Sequence, residues 1–430
     1  MNDPLRVGIA GLGTVGSGVL RVLQDHRALI SARAGRDIQV VAVSARDRYK
    51  KRGVDVSGYE WVEYAPALAA RDDLDVVVEL IGGQDGDAKD LLEQALQKGI
   101  SVVTANKALL AHHGYDLALM AERSEAALMY EAAVAGGIPI IKSLREGFAG
   151  NEIRAVYGIL NGTCNYILTA MRETGRPFSE VLKGAQEKGY AEADPTFDID
   201  GIDTAHKLCI LSALAFGIKP SFENLPVRGI GKITATDITH IEELGFRIKL
   251  LGISKILDNK VVQMVEPCLV PKDSTMGAVE DTFNAVSVEG DFVDTALAVG
   301  RGAGAGPTAS AVVADLVDIA RGHRAPVFGL PAAALAEAQW GDRGNLVSRF
   351  YMSMTVQDKP GVLADIATIM RDHNISMEAV QQKARDPQNP VPIVIVSHDV
   401  RQADIRAALD AVAALDSCVA EPVLMRIESF

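Results

Sequence analysis

Cysteine is scarce in this chain, long apolar runs are missing, and positive charge is in deficit. The 430 residues include four cysteines, Cys164, Cys209, Cys268 and Cys418, which lie far apart and form no CxxC pair. Zinc ribbons and disulfide frameworks need closely spaced sulfurs, so neither is indicated, and a reducing cytoplasm is the expected compartment. No apolar stretch approaches the roughly 20 residues a membrane span requires. The N-terminus, MNDPLRVGIAG, enters a strand pattern almost at once and leaves no room for a signal peptide. With 43 Lys and Arg against 56 Asp and Glu, the formal charge is −13. That balance argues against nucleic acid or an anionic membrane as the main partner. What remains is the composition of a soluble globular protein, 48% apolar and 23% charged, in a chain long enough for two to four domains.

The first third alternates β-branched runs with helical patterns. Residues 5–10, 38–43, 75–80, 100–104 and 127–131 read as buried parallel strands with helices between most of them, a Rossmann-type doubly wound α/β sheet. The first strand ends in Gly11-Leu12-Gly13-Thr14-Val15-Gly16, and a helical pattern follows from residue 15 to about residue 29. In that setting the glycines have separate jobs: a tight turn, close approach of backbone N–H groups to a pyrophosphate, and close packing of helix on strand. A dinucleotide is expected there; a helix-packing turn without ligand is the plainer alternative. After the second strand a ribose-binding acid would favour NAD, but the chain reads Ser44-Ala45-Arg46, then Arg48, Lys50, Lys51 and Arg52. These cations suit a 2′-phosphate, with Arg46 as the expected contact, so NADP(H) is preferred; Asp47 keeps NAD(H) open. Further on, Thr104-Ala105-Asn106-Lys107 places an amine just past a strand's carboxyl end, where ligands sit in open α/β sheets. A helix-start lysine facing solvent is the plainer reading.

The most conspicuous segment is GYAEADPTFDIDGIDTAHK, residues 189–207, with five carboxylates and one lysine ahead of the apolar run LCILSALAF. Interleaved Tyr190, Phe197 and Ile199 imply a folded loop. Acids before a helix start are also favoured by the helix dipole alone, so a solvated capping loop competes with an active site. Asp203 and Lys207 stand four apart in a helical pattern, so their side chains share a face and can meet each other or one ligand.

The blocks GLGTVG, TANKALLA, EAAVAGGIPII, GILNGTCNYIL, GYAEADPTFDIDGIDTAHKL and GAGAGPTASAVVADLVD follow one another between residue 8 and about residue 320. They resemble the successive motifs of homoserine dehydrogenases, which interconvert L-homoserine and L-aspartate 4-semialdehyde with a nicotinamide cofactor on the way to threonine, methionine and isoleucine. Reducing an aldehyde leaves alkoxide character on oxygen, which needs a proton donor or positive charge nearby. The resemblance implies that Lys207 is the acid/base, that Lys107 has a second catalytic or positioning role beside the cofactor, and that Glu192 and Asp203 contact substrate, where an ammonium group must be held. Asp198, and more weakly Asp194, would fix the loop or a water. For the cofactor it implies Gly11, Gly13, Thr14, Val15, Gly16, Arg46, Thr104 and Lys107, with Gly302 and Gly304 on a loop that returns to cover it. Thr308 or Ser310 would start the following helix, from residue 309 to about 322. The turn carrying Glu131, Val134, Gly136 and Ile138 would wrap a monovalent cation, sodium or otherwise, with hard oxygen ligands. Cys164 lacks an evident histidine base, and packing is its expected role.

The expected divisions are a nucleotide-binding domain over 1–146, completed by 301–325; a mixed α/β substrate and dimerisation domain over 147–300, with strands near 261–270 and 284–289; a linker over 326–347; and a terminal domain over 348–430. That last stretch reads as βαββαβ, with strands at 349–356, 375–383 and 392–397, a first helix to about residue 373, a second over about 401–415, and a last strand to residue 427. Its DKPGVLA turn resembles an ACT regulatory domain, which implies an amino-acid effector, L-threonine, in a homodimer or homotetramer. Asn374 is either a ligand contact or a helix C-cap. Two other classes are compatible with parts of the pattern: a different NADP oxidoreductase acting on an amino acid, and a catalytically silent amino-acid sensor, against which Lys107, Glu192, Asp203 and Lys207 argue.

Overall fold

The parallel sheet of the first third has one strand more than the sequence pattern indicates. In the computed structural model, which describes residues 3–382 and 389–430, strands β1 (Leu5–Ala10), β2 (Ile38–Ser44), β3 (Glu60–Trp61), β4 (Val76–Glu79), β5 (Ser101–Thr104) and β6 (Leu128–Met129) lie in the order β3-β2-β1-β4-β5-β6, all parallel. Two-residue β3 is too short to carry a periodicity. β6 stops at Met129 rather than at 131, because residues 131–133 turn into a 3-10 helix. The order reverses between β1 and β4, which opens a crevice at their carboxyl ends. Helices α1 (Thr14–Asp25), α2 (Arg27–Ala34), α3 (Asp87–Gln97) and α4 (Lys107–Arg123) flank the sheet. The single helix expected over 15–29 is two, broken at His26, whose backbone (φ −112°, ψ 20°) leaves the helical region.

A second layer follows: α5 (Ile140–Lys142), β7 (Ile153–Ile159), α6 (Gly162–Thr174), α7 (Phe178–Glu187), α8 (Thr196–Ile199), α9 (Ile202–Phe216), α10 (Ala235–Glu243), β8 (Phe246–Leu257), β9 (Lys260–Pro271), β10 (Phe283–Gly290) and β11 (Asp294–Arg301). Its own strands, in the order β11-β10-β7-β8-β9, are all antiparallel. The chain then returns to the first sheet through α11 (Ala305–Ala320), whose Ala309, Val312 and Leu316 share one apolar cluster with Ile9, Val19 and Leu20. This helix starts earlier than expected. Gly304 is its N-cap, and Thr308 and Ser310 lie inside it. Pro307 falls in the first turn, where its missing N–H is not needed, so a run that reads as loop extends the helix.

The terminal part is β12 (Val347–Val356), α12 (Val362–Asp372), β13 (Met377–Gln382), β14 (Val391–Ser397), β15 (Val400–Arg401), α13 (Gln402–Ala413) and β16 (Val423–Ile427). Its main strands lie β16-β12-β14-β13, as a ferredoxin-like βαββαβ requires. The expected end of β13 at Lys383 lies outside the described residues. Asn374 (φ 57°) follows α12 in the left-handed conformation, with its N–H donating to Arg371 O and that of Ile375 to Met370 O. That is a Schellman-type C-cap.

The two later sheets are one. β16 runs parallel to β9, pairing Arg426 with Cys268 and Ile427 with Leu269. The mixed character expected for residues 147–300 arises at this junction. Three stretches tile the outer edge of β9: residues 339–341 bond Val261, residues 226–228 bond Val265, and β16 covers Cys268 and Leu269. The stretch expected as a linker is therefore pinned, with Lys219 N–H also donating to Ala336 O at 2.9 Å. Arg426, 1% exposed, locks the junction by bonding Glu266 at 3.3 Å and Gln402.

Candidate active site

α9 is apolar nearly all round, with Leu208, Ile210, Leu211 and Ala213 fully buried, and such a helix belongs at the centre of a fold. Its first two turns break that rule with Asp203 and Lys207, 4% and 7% exposed. Unpaired ions there would each cost several kcal/mol, and the surroundings match them atom by atom. Asp203 Oδ2 accepts from Lys207 Nζ at 2.7 Å and from Asn161 Nδ2 at 2.8 Å, while Oδ1 faces Lys107 Nζ at 3.0 Å. Lys207 Nζ also donates to Leu160 O at 2.7 Å, and Asn284 Nδ2 donates to the same carbonyl at 2.9 Å. Two of the three ammonium N–H bonds of Lys207 are thus used, and one is left for a ligand. Burial by itself would raise the Asp203 carboxyl; the Lys207 and Lys107 charges overrule it and hold the group below the usual carboxylate range. Lys107 is raised, chiefly by the Asp203 charge, which outweighs burial.

Lys107 opens α4 past the end of β5, keeps 33% of its side chain exposed, and lies 5.5 Å from the Phe197 ring centre. It is the lysine at the mouth and Lys207 the one at the floor. Asp198 Oδ1 accepts the other hydrogen of Asn161 Nδ2 at 2.8 Å, and burial followed by the Asp203 charge raises its carboxyl. Glu192 is exposed on the loop above, close enough that its charge helps to raise Lys107. Four expected residues, Lys107, Asp198, Asp203 and Lys207, therefore converge, with Glu192 on the loop above them. Asp194 instead accepts from Thr196 N at 3.1 Å, a local turn, and Asp200 is exposed. The Cys164 thiol packs on Asp198 O at 3.1 Å, and burial pushes it well up, away from a reactive thiolate. His206 and His112 pair through their Nε2 atoms at 3.3 Å behind the site, with His206 lowered to about 4 chiefly by burial. Asn161 is the residue that sequence reasoning missed here.

At the crevice the glycine loop divides its work as the spacing predicts. A Cβ on Gly11 (φ +100°) would meet Leu80 O at 2.4 Å, one on Gly16 would meet Gly11 O at 2.0 Å, and Gly13 faces open space. Thr14 and Val15 begin α1, whose first turn has no acid and whose N-cap has no side-chain partner, leaving N–H groups for an anion. Arg52, one of the cations expected after β2, folds back to donate to Leu12 O at 3.2 Å and stacks 5.4 Å from Trp61. With Arg21, Lys50 and Lys51 it lines a pocket against Gly13, Thr14 and Ser17. Arg46 is exposed at the end of β2. Thr104 is fully buried, its hydroxyl donating to Glu79 Oε2 at 2.6 Å and accepting from Asn106 N at 3.0 Å, so only its backbone faces the crevice. Glu79, also unforeseen, accepts from Ile81 N at 2.7 Å and Gly82 N at 2.9 Å and shapes the neighbouring loop. Gly302 fits because a Cβ would lie 2.0 Å from Asn284 Nδ2, and its carbonyl accepts from Gly136 N at 2.9 Å.

That last bond joins the covering loop to the turn at 131–138. Glu131 is 3% exposed, and its two oxygens accept from Ile141 N and Lys142 N, each at 2.9 Å, so the side chain caps α5. Burial raises its carboxyl, and among the described residues it has no ion pair. Ile138 O already accepts from Ile140 N at 2.8 Å.

Three family models match successive parts of the chain. Residues 139–317 match the homoserine dehydrogenase family model, residues 11–131 the NAD binding domain of homoserine dehydrogenase, and residues 350–417 the ACT domain. The chain is 44% identical to homoserine dehydrogenase of Neisseria gonorrhoeae, covering 99% of both proteins. It superposes on the crystal structure of a homoserine dehydrogenase from Thiobacillus denitrificans with a TM-score of 0.93 at 43% identity, over 99% of each chain. A hyperthermophilic archaeal homoserine dehydrogenase in complex with NADPH is similar at 25% identity and a TM-score of 0.63, covering 74% of this chain and 97% of that one. Family models that match all three parts, a relative 44% identical along its whole length and a closely superposable crystal structure agree, and this chain belongs to the homoserine dehydrogenase family.

Proposed function

We propose that the chain interconverts L-homoserine and L-aspartate 4-semialdehyde, and that the buried Asp203, bridging two lysines, carries this reading. Residues 1–146 with 301–325 hold the cofactor, 147–300 hold substrate and the subunit contact of a homodimer or homotetramer, 326–347 connect, and 348–430 regulate. A bound nicotinamide cofactor supplies or accepts the hydride. The chain's own residues do the rest. Lys207 presents its one unpaired N–H to the substrate oxygen, giving a proton in reduction and, through its neutral form or a water it positions, taking one in oxidation. Asp203 holds Lys207 and Lys107 in place, Lys107 brings a second positive charge to the developing alkoxide, and Glu192 with Asp198 receives the substrate ammonium. Gly11, Gly13, Thr14, Val15 and Gly16 cradle the pyrophosphate, Thr104 contributes backbone, and Gly302 and Gly304 close over it.

Arg46, exposed just past β2, with Arg52 and Lys50 lining the pocket at the glycine loop, favours NADP(H) over NAD(H), in keeping with the NADPH held by the archaeal relative. Glu131, buried and without an ion pair among the described residues, suits a monovalent cation shared with the carbonyls of Val134, Gly136 and Ile138; sodium is the candidate. Thiols at Cys164, Cys209 and Cys268, all buried and unpaired, fit the reducing cytoplasm. L-Threonine is the proposed effector, at the cavity lined by Asp358, Gly361, Leu363 and Gln382. A spectrophotometric assay with homoserine and each cofactor tests the reaction; turnover absent with both overturns it. Threonine titration of the full chain and of Leu363→Arg tests regulation, and equal inhibition of the two would move the effector elsewhere. A chain ending near Arg343 is a poorer tool, because it strips part of the edge of β9.

A further inference from the structure

Asp198 and Asp203 lie on α8 and α9, either side of the Asp200-Gly201 break, where Gly201 N–H donates to Asp198 O at 3.0 Å and Ala205 N–H to Gly201 O at 2.9 Å, but these backbone bonds do not link the two carboxylates. Asn161 does. It is 5% exposed and caps α6, with Oδ1 accepting from Cys164 N at 2.8 Å. An N–H can be met only by the amide oxygen, so this bond settles which way the side chain faces. Its Nδ2 then gives one hydrogen to Asp198 Oδ1 and the other to Asp203 Oδ2, both at 2.8 Å. A neutral donor between two carboxylates screens their repulsion without competing with Lys107 and Lys207 for charge.

We infer that Asn161 is a positioning residue: anchored on α6, it sets the Asp198–Asp203 spacing and, through Asp203, the aim of Lys207. The inference rests on the reading of Asp203 and Lys207 given above. Asn161→Asp tests it, because a carboxylate oxygen still caps Cys164 N while the bridging donor becomes a third buried acid. Small misplacements at a reacting centre cost about 100-fold, so kcat/KM for homoserine should fall by about that factor near pH 9, with cofactor KM within about twofold of the parent. Proton uptake by the new carboxyl restores a donor, so the deficit should shrink below about tenfold near pH 6. Asn161→Ala, lacking both cap and bridge, should show a deficit that does not change with pH. Asp203→Asn is the control. If it is inactive while Asn161→Asp is within about threefold of the parent, or shows a loss independent of pH, the positioning role is overturned. Near-native Asp203→Asn would instead overturn the underlying mechanism and this inference with it.

Discussion

Replacing Lys207 by alanine removes a proton donor and a buried positive charge together, and the structure separates the two consequences. General acid–base help is worth about 10²- to 10⁴-fold and an oriented donor at a developing oxyanion about 10²- to 10³-fold. As the two overlap in one ammonium, kcat should fall by about 10³- to 10⁵-fold, or ~4–7 kcal/mol. Breaking a buried ion pair costs about 3–5 kcal/mol of stability. The loss here belongs at the low end, because Asp203 keeps Lys107 at 3.0 Å and Asn161 at 2.8 Å, although Leu160 O keeps Asn284 alone. The variant should therefore fold, melt earlier and bind cofactor. NADPH absorbance under saturating semialdehyde measures kcat, circular dichroism the fold, and a small primary amine should restore part of the rate by occupying the vacated space. Turnover within about tenfold of the parent, in a folded variant, would refute the assignment of the proton to Lys207.

Glu192→Gln should raise the homoserine KM roughly tenfold with kcat nearly kept, since an exposed charge-assisted contact is worth about 1.5 kcal/mol; unchanged KM would remove Glu192 from the substrate site. Arg46→Ala should cut kcat/KM for NADPH roughly 10- to 100-fold and leave NADH use unchanged, and equal losses with both cofactors would place Arg46 elsewhere. Asp315, fully buried near Lys142, has its carboxyl pushed up to about 7, chiefly by burial. As the folded value lies above the ordinary 3.8, its contribution is full below that value and is lost as pH rises through 7. Asp315→Asn keeps an acceptor for Glu131 N–H, so relative to the parent it should gain Tm at about pH 8 compared with about pH 5; identical shifts at both would contradict the assignment.

The glycine loop and the Asp203–Lys207 pair were legible because their physics is local: a strand-to-helix turn in six residues, and one helical turn. Lys107 was legible by its place after a strand. Asn161 was not, since its bonds span 37 and 42 residues and its sequence neighbourhood reads as an ordinary helix cap. Glu79 was hidden for the same reason, its partner Thr104 being 25 residues away on another strand. The start of α11 was misread because its glycines and Pro307 look like a loop when only propensity is weighed, whereas its packing against α1 extends the helix. The junction of β16 with β9 joins residues 160 apart and carries no pattern of its own.

That junction also bears on how the protein is made. β9 leaves the ribosome roughly 150 residues before β16, which at ordinary elongation rates is about 8–30 s. During that interval the nascent chain holds a long strand with part of one edge bare, the kind of edge that recruits another chain. Nucleotide-sheet folding can begin early, but the layer supporting α9 is sealed only when β16 arrives. A product truncated or stalled before β16 would therefore be prone to aggregate before it was merely deregulated.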